Sequence, residues 1–277
     1  MARGKKGEAG ERVKERPVFI FASGQRTGST LLQRLLNTHR DIHIWGEHSG
    51  GLEPGLARNL RMARQGLEIA ATRDGGAEQF ESYRKNRADQ WMAAMTPPGP
   101  WDDVFRDVFI DLYAGAARDI FGKRRWGFKE TLYDAADARF LAGLFPSCRI
   151  IFLFRDVQET YRSMRRNSAI SPFFSIDTFV GQWVRIVTSF LENAGDKPNV
   201  TMAPFSQLIK DPREAMEMVA GFLEVDADGF DMGIIKNVIP GAPEINCPAP
   251  NEEELEFIER VAGETRRELK KRFGTAG

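Results

Sequence analysis

The chain has 277 residues, and its 39 basic and 39 acidic side chains give a formal net charge of zero. Balanced charge argues against a general nucleic-acid or membrane-surface binder, and no apolar run approaches the roughly 18 residues of a membrane helix. Hydrophobic residues make up 42% and charged residues 28%, as in a globular protein with a full core.

Two further features of the composition bear on location and cofactors. Cys148 and Cys247 have no metal-ligand spacing and give no disulfide framework, which is typical of a reducing compartment, so we expect a cytoplasmic protein without a bound metal. Residues 1–16 are charged and lack the apolar core of a signal peptide. They are predicted to be a flexible tail before a single domain at 17–277.

The first ordered stretch reads as a strand, a glycine loop and a helix. Val18 to Ala22 is an apolar run typical of a buried strand, Gly24 breaks it, and Gly28 opens a segment with leucines at helical spacing. Such a loop presents backbone N–H groups and the positive end of the helix to an anion. Arg26, Ser29 and Thr30 would add a charge and two hydroxyl groups. An ordinary capped turn is the alternative interpretation.

The loop lacks one residue that a nucleoside triphosphatase would need. The Walker pattern places a lysine between its last glycine and the following serine or threonine, but here Gly28 is followed directly by Ser29. Arg26 lies inside the loop instead. This favours a phosphate-like group that is bound without the usual Mg-ATP machinery.

A short second strand and a helical region follow. Ile42 to Trp45 is predicted to be a strand, with Glu47 and His48 at its carboxyl end, where chemistry gathers in open α/β sheets. Three helices are then expected in an insertion at about 52–121 that shapes a substrate pocket. The helices are Leu52 to Ala71, Glu78 to Met95 and Trp101 to Phe121. The aromatic residues of this insertion either line the pocket or belong to the core, and they are Tyr83, Trp91 and Trp101.

The rest of the chain alternates strands with helices. Further strands are predicted at Trp126 to Lys129, Arg149 to Phe154 and Asn199 to Ala203. Helices are predicted at 134–144, 156–166, 176–193, 212–223 and from the Asn251 cap to about Arg272, with a loop at 225–250. The fold class is therefore α/β, with a mainly parallel five-stranded sheet between two layers of helices.

Arg155 and Ser163 form a second candidate anion site. Arg155 follows the fourth strand directly, and Ser163 lies eight residues later on roughly the same face of the next helix. The pair would bind one phosphate. Alternatively, Arg155 pairs with Asp156 or another carboxylate, and Ser163 is a surface residue.

Taken together, these motifs resemble the sulfotransferase family, whose fold is of the P-loop type. Arg26, Thr27, Gly28, Ser29 and Thr30 match its 5′-phosphosulfate loop, R-[ST]-G-[ST]-T. Arg155, Asp156 and Ser163 match its 3′-phosphate pattern, with Gln158 where an arginine is common. Glu47 matches the general base of protein-tyrosine and carbohydrate sulfotransferases. Two later segments match in part: Lys129 lies in a W-x-K-[DE]-P-like strand end with Thr131 in place of proline, and Phe205 stands where a Y-E-x-L segment has tyrosine. The family's nucleotide-closing loop is not clear at 240–250.

The resemblance implies a donor, a reaction and a role for each residue. The donor would be 3′-phosphoadenosine 5′-phosphosulfate (PAPS), bound by Arg26, Thr27, Gly28, Ser29, Thr30, Arg155 and Ser163. Glu47 would be the general base, and Arg26 and Lys129 would stabilise charge on the leaving phosphate. The acceptor would be a small molecule or glycan with a hydroxyl group, and no metal or nucleic acid would be needed.

Three alternatives remain open from the sequence. His48, His43 or His39 would replace Glu47 as the base, since cytosolic sulfotransferases use histidine. Glu47 would otherwise only cap a helix or pair with an arginine, and Lys129 would be a solvated strand end. In place of a sulfotransferase, the chain would be a P-loop kinase with a degenerate loop or a non-catalytic nucleotide-binding protein of the same fold.

Overall fold

The computed structural model describes residues 15–47, 55–72, 85, 100–165, 175–193, 197–236, 249–275 and 277. Its centre is a five-stranded sheet in the order β2-β3-β1-β4-β5, and every neighbouring pair is parallel. The strands are β1 (Val18–Ala22), β2 (Ile42–Trp45), β3 (Arg125–Glu130), β4 (Arg149–Phe154) and β5 (Val200–Pro204). All five carboxyl ends therefore meet at one edge of the sheet.

Helices cover both faces of this sheet. In the described part of the chain they are α1 (Ser29–Thr38), α2 (Leu56–Thr72), α3 (Trp101–Phe109), α4 (Gly115–Phe121), α5 (Ala135–Leu144), α6 (Val157–Arg165), α7 (Ile176–Asn193), α8 (Phe205–Lys210), α9 (Pro212–Leu223) and α10 (Glu252–Phe273). A π-helical turn, Ile110–Ala114, joins α3 to α4. Short 3-10 turns occupy Ala227–Gly229 and Met232–Lys236.

The alternation of side chains along β1 explains the two layers of helices. Phe19 and Phe21 point to one face and pack with α3, α5, α7 and α10, whereas Val18 and Ile20 point to the other and pack with α1 and α9. All five residues of β1 are fully buried, as expected for a central parallel strand. The mainly parallel three-layer α/β fold predicted from the sequence is confirmed.

Most predicted elements are found within one or two residues of their predicted bounds. All five strands form, and the Asn251 cap is confirmed because its side chain accepts the Glu254 N–H at 2.8 Å. Two predictions need correction: α2 begins at Leu56 rather than Leu52, and the region at 225–236 contains 3-10 turns rather than only loop. Helix α8 was not predicted.

Some expectations fall wholly or partly outside the described residues. These are most of the tail at 1–16, His48, the helix at 78–95 with Trp91 and Tyr83, residue Cys247 and most of the segment 240–250. Trp101, the described member of the expected pocket lining, is half-buried and packs against the core. The division into a tail, one domain and an insertion stays a prediction.

Candidate active site

The predicted site residues come together where the strands end. The glycine loop follows β1, Glu47 follows β2, Lys129 is the last residue but one of β3, and Arg155 follows β4 directly. Because the strands are parallel and adjacent, these four segments share one edge of the sheet. The fold therefore assembles residues that lie up to 137 positions apart in the chain.

The glycine loop is held in an unusual backbone conformation. Arg26 and Gly28 both adopt left-handed geometry, with φ of 62° and 95°. The Thr27 hydroxyl braces the turn by donating to the Gly24 carbonyl at 2.6 Å. Gly28 occupies the N-cap position of α1 and brings no capping side chain, so the first N–H groups of the helix are not capped by it. This is the arrangement that suits an anion.

Exposure divides the loop residues into two groups. Thr27 and Ser29 are buried, so their hydroxyl groups belong to the inside of the loop. Arg26 and Thr30 are exposed. The charge of Arg26 is thus carried by a side chain that a ligand can reach.

Arg155 extends from the end of β4 back to the glycine loop. Its Nη1 donates to the Arg26 carbonyl at 3.3 Å, and its backbone N–H donates to the Ser23 hydroxyl at 3.3 Å. Its own carbonyl accepts the indole N–H of Trp183 at 3.0 Å, which ties the strand end to α7. Its Nε also donates to Glu159 at 3.2 Å, so pairing with a carboxylate occurs, but with Glu159 rather than Asp156.

The two candidate anion sites touch each other. The Nε of Arg26 donates to the Ser163 hydroxyl at 3.4 Å, which links the glycine loop to the middle of α6. Asp156 caps the start of α6 by accepting the N–H groups of Gln158 and Glu159, and it also accepts the Nε of Arg266 on α10 at 2.9 Å. Helix α6, which carries Ser163, is therefore fixed against both the sheet and the last helix.

Glu47 and Lys129 form a direct ion pair across the ends of β2 and β3. Lys129 is only 6% exposed, so it is not a solvated strand end. Glu47 pairs with this lysine rather than with an arginine, and its side chain keeps 17% of its exposure. The position of β2 is set by Asn37 on α1, whose amide bonds both the N–H and the carbonyl of Ile44.

Two of the three alternative bases lie away from this edge. His39 follows α1, and its Nδ1 accepts the Asp41 N–H at 3.1 Å. Burial lowers the pKa of His39 below its usual value of 6.5. His43 stacks on Phe121 with ring centroids 4.0 Å apart, and its pKa is also lowered, by burial and then by the charge of Lys123. Both precede the carboxyl end of β2, and His48 lies outside the described residues.

One residue in contact with both candidate anion sites was not predicted to belong to the site. Phe205 places its ring over the Arg155 guanidinium, with 4.9 Å from Cζ to the ring centroid. The same ring packs against Gly28. Its position in the Y-E-x-L-like segment was the available signal, but the change from tyrosine to phenylalanine hid it.

A family model described as "Sulfotransferase family" matches residues 17–229, which is most of the chain. The chain belongs to the sulfotransferase family. The matched segment includes every predicted site residue, from Arg26 to Ser163. As a member of this family, the protein is a transferase that moves a sulfuryl group.

Several solved structures are similar to this chain. The sulfotransferase domain from the curacin biosynthetic pathway is 15% identical, covering 93% of this chain and 97% of that one, with a TM-score of 0.51. A sulfotransferase from Alicyclobacillus acidocaldarius is 14% identical over 94% and 96% of the two chains, with a TM-score of 0.49. Retinol dehydratase, solved with androsterone and the inactive cofactor PAP, is 12% identical over 92% and 81%, with a TM-score of 0.43. No curated protein sequence matches the chain.

Two properties of the described residues bear on cofactors and membranes. No group of three or more His, Cys, Asp or Glu side chains in that part of the sulfotransferase is arranged to hold a metal ion. None of the helices described combines the length and apolar character needed to cross a bilayer.

Proposed function

We propose that this sulfotransferase moves the sulfuryl group of PAPS to a hydroxyl group of a small-molecule or glycan acceptor. The observation that supports this most strongly is the meeting of Arg26, Arg155 and Ser163 between the glycine loop and α6. A donor with a 5′-phosphosulfate and a 3′-phosphate needs two adjacent anion sites, and an ordinary nucleoside triphosphate does not. The cytoplasmic location expected from the composition stays a prediction.

The residues of the site divide into those that bind and those that react. Backbone N–H groups from Thr27 to Thr30 would hold the 5′-phosphate, and Arg155 with Ser163 would hold the 3′-phosphate. Arg26 is exposed and lies between them, so it would stabilise charge on the bridging oxygen. This division leaves Glu47 and Lys129 for the chemical step.

Glu47 and Lys129 suit the two ends of an in-line transfer. The acceptor oxygen forms a bond to sulfur as the bond from sulfur to the 5′-phosphate oxygen breaks, and adenosine 3′,5′-bisphosphate leaves. Glu47 would take the hydroxyl proton, and Lys129 would stabilise the leaving oxygen. Because Lys129 and Glu47 are paired, the lysine would have to exchange its carboxylate partner for the leaving oxygen.

A thermal-shift comparison of adenosine 3′,5′-bisphosphate with Mg-ATP tests the donor. At a ligand concentration of 100 times Kd, stabilisation is about 2.7 kcal/mol, which corresponds to a rise in Tm of about 5 °C for a chain of this length. We expect that rise with the bisphosphate and a smaller rise in Arg155→Ala. Stabilisation by Mg-ATP alone would instead support a kinase.

Replacing Glu47 by glutamine tests the base. The amide cannot accept the proton, so turnover is expected to fall by roughly 10² to 10⁴-fold while the affinity for the bisphosphate stays within about twofold. Glu217→Gln, which removes a carboxylate from a surface pair with Arg213, is the matched control. Unchanged turnover in Glu47→Gln would exclude this residue as the base.

A further inference from the structure

Phe205 occupies a fixed place beside both candidate anion sites. It is the first residue of α8, directly after Pro204 at the end of β5, and it packs against the apolar cluster that includes Leu32 and Leu208. Because the ring is anchored on this side, its opposite side presents a rigid surface to the glycine loop and to Arg155.

The contact with Arg155 orients a charge without neutralising it. The guanidinium lies 4.9 Å from the ring centroid, within the range of a cation–π interaction. Its other side-chain partners are the Arg26 carbonyl at 3.3 Å and Glu159 at 3.2 Å. Glu159 is an anion and competes with a phosphate for the same N–H donors, whereas an aromatic face does not. The ring therefore leaves those donors able to bind a ligand.

The contact with Gly28 fixes the spacing between the loop and the arginine. A Cβ atom at position 28 would lie 2.1 Å from Cε2 of Phe205, so the ring rests directly on the loop backbone. One rigid side chain thus touches the 5′ site on one part of its surface and the 3′ site on another. A smaller side chain would remove this support and let the Arg155 guanidinium move away from the glycine loop.

We propose that Phe205 is a positioning residue that gives this enzyme its preference for a 3′-phosphorylated nucleotide, acting through Arg155. The proposal rests on the proposed function, since it assumes that Arg155 binds the 3′-phosphate. It predicts an effect on one end of the nucleotide only. Stacking of Phe205 on the adenine base would affect all adenine nucleotides alike.

Isothermal titration calorimetry with two ligands separates these possibilities. Adenosine 3′,5′-bisphosphate carries the 3′-phosphate and 5′-AMP lacks it, so the ratio of their Kd values measures the preference directly. Because 5′-AMP is the internal reference, a general loss of packing does not change the ratio. The variants are Phe205→Leu, which removes the aromatic face, Phe205→Tyr, which keeps it, Arg155→Ala, and Phe205→Leu combined with Arg155→Ala.

The expected result is a loss of preference that depends on Arg155. Phe205→Leu should weaken the bisphosphate about three- to tenfold and leave 5′-AMP within about twofold. Phe205→Tyr should retain the preference, and Phe205→Leu should have no further effect once Arg155 is alanine.

The following outcomes would overturn the proposal. Equal weakening of both ligands, or a loss that persists in the Arg155→Ala background, would show that Phe205 acts on the adenine or the loop. An unchanged ratio in Phe205→Leu would also exclude the role while leaving the proposed donor intact. If the unsubstituted protein does not prefer the bisphosphate, the proposed donor itself is wrong, and this inference fails with it.

Discussion

Asp137 anchors the helix that follows the Glu47 segment, and its removal should destabilise the protein measurably. Its carboxylate is fully buried and accepts from Arg58 at 2.5 Å, from Arg61 at 2.9 Å and from the Asp134 N–H at 3.1 Å. Arg58 and Arg61 belong to α2, so one side chain of α5 binds two residues of that helix. Burial tends to lower the pKa of Arg58, but the hydrogen bond and charge of Asp137 raise it above its usual value.

The size of the effect follows from the burial of the three charges. Breaking a buried ion pair by removing one partner costs about 3–5 kcal/mol. The arginine side chains keep 16% and 19% of their exposure, which places Asp137→Ala near the lower end of that range. Loss of the capping box at the start of α5 adds about 1 kcal/mol. A total of about 4 kcal/mol corresponds to a fall in Tm of about 7 °C for this chain.

Urea denaturation of Asp137→Ala, Asp137→Asn and a surface control would check this reasoning. Asp137→Asn keeps an acceptor for the Asp134 N–H but loses the charge, so we expect an intermediate loss. Asp228→Ala removes a carboxylate 3.8 Å from Arg213 in an exposed pair and should cost less than about 0.5 kcal/mol. If Asp137→Ala behaved like Asp228→Ala, the reasoning that Asp137 anchors α2 would be refuted.

Two further predictions concern the sheet and the buried histidines. A Cβ atom at Gly127 would lie 1.5 Å from the Val18 carbonyl oxygen, so Gly127→Ala should force β1 and β3 apart and sharply reduce the soluble yield. Gly143 lies in a helix, and a Cβ atom there would meet nothing within 4 Å, so Gly143→Ala should stabilise the protein by up to about 1 kcal/mol. Equal soluble yields of Gly127→Ala and Gly143→Ala would contradict this reasoning. The pKa values of His39 and His43 are lowered in the folded state. The stability that the two histidines contribute is therefore fully present above about pH 6.5 and is lost as the pH falls below that value. The loss is at most about 1.4 kcal/mol per pH unit for each histidine. Urea midpoints between pH 7 and 5 test this, and His43→Gln should reduce the slope.

The strands and the glycine loop were predictable because their signals are local. Apolar runs such as Arg149 to Phe154 are bounded by turn residues, and the length of each run fixes the strand within a residue. The Asn251 cap was equally local, since a capping box needs only four adjacent residues. In the described part of the chain, elements with such signals appeared where they were expected.

The contacts that assemble the site were not predictable from local patterns. Glu47 and Lys129 are 82 residues apart, and they meet only because β2 and β3 are neighbours in the sheet. Strand order is decided by packing across the whole sheet and its helices, and the local sequence of neither segment indicates it. The π-helical turn Ile110–Ala114 was hidden for another reason, because one extra residue in a turn barely disturbs a helical pattern.

The left-handed backbone of Arg26 has a consequence for engineering. A side chain at φ 62° costs about 1 kcal/mol relative to glycine, so the fold alone would favour glycine there. If stabilised variants were selected by melting temperature alone, Arg26→Gly would therefore be selected early. The more stable variant would lack the guanidinium that reaches Ser163. Under the proposed function, its higher melting temperature would accompany the loss of the charge that acts on the bridging oxygen.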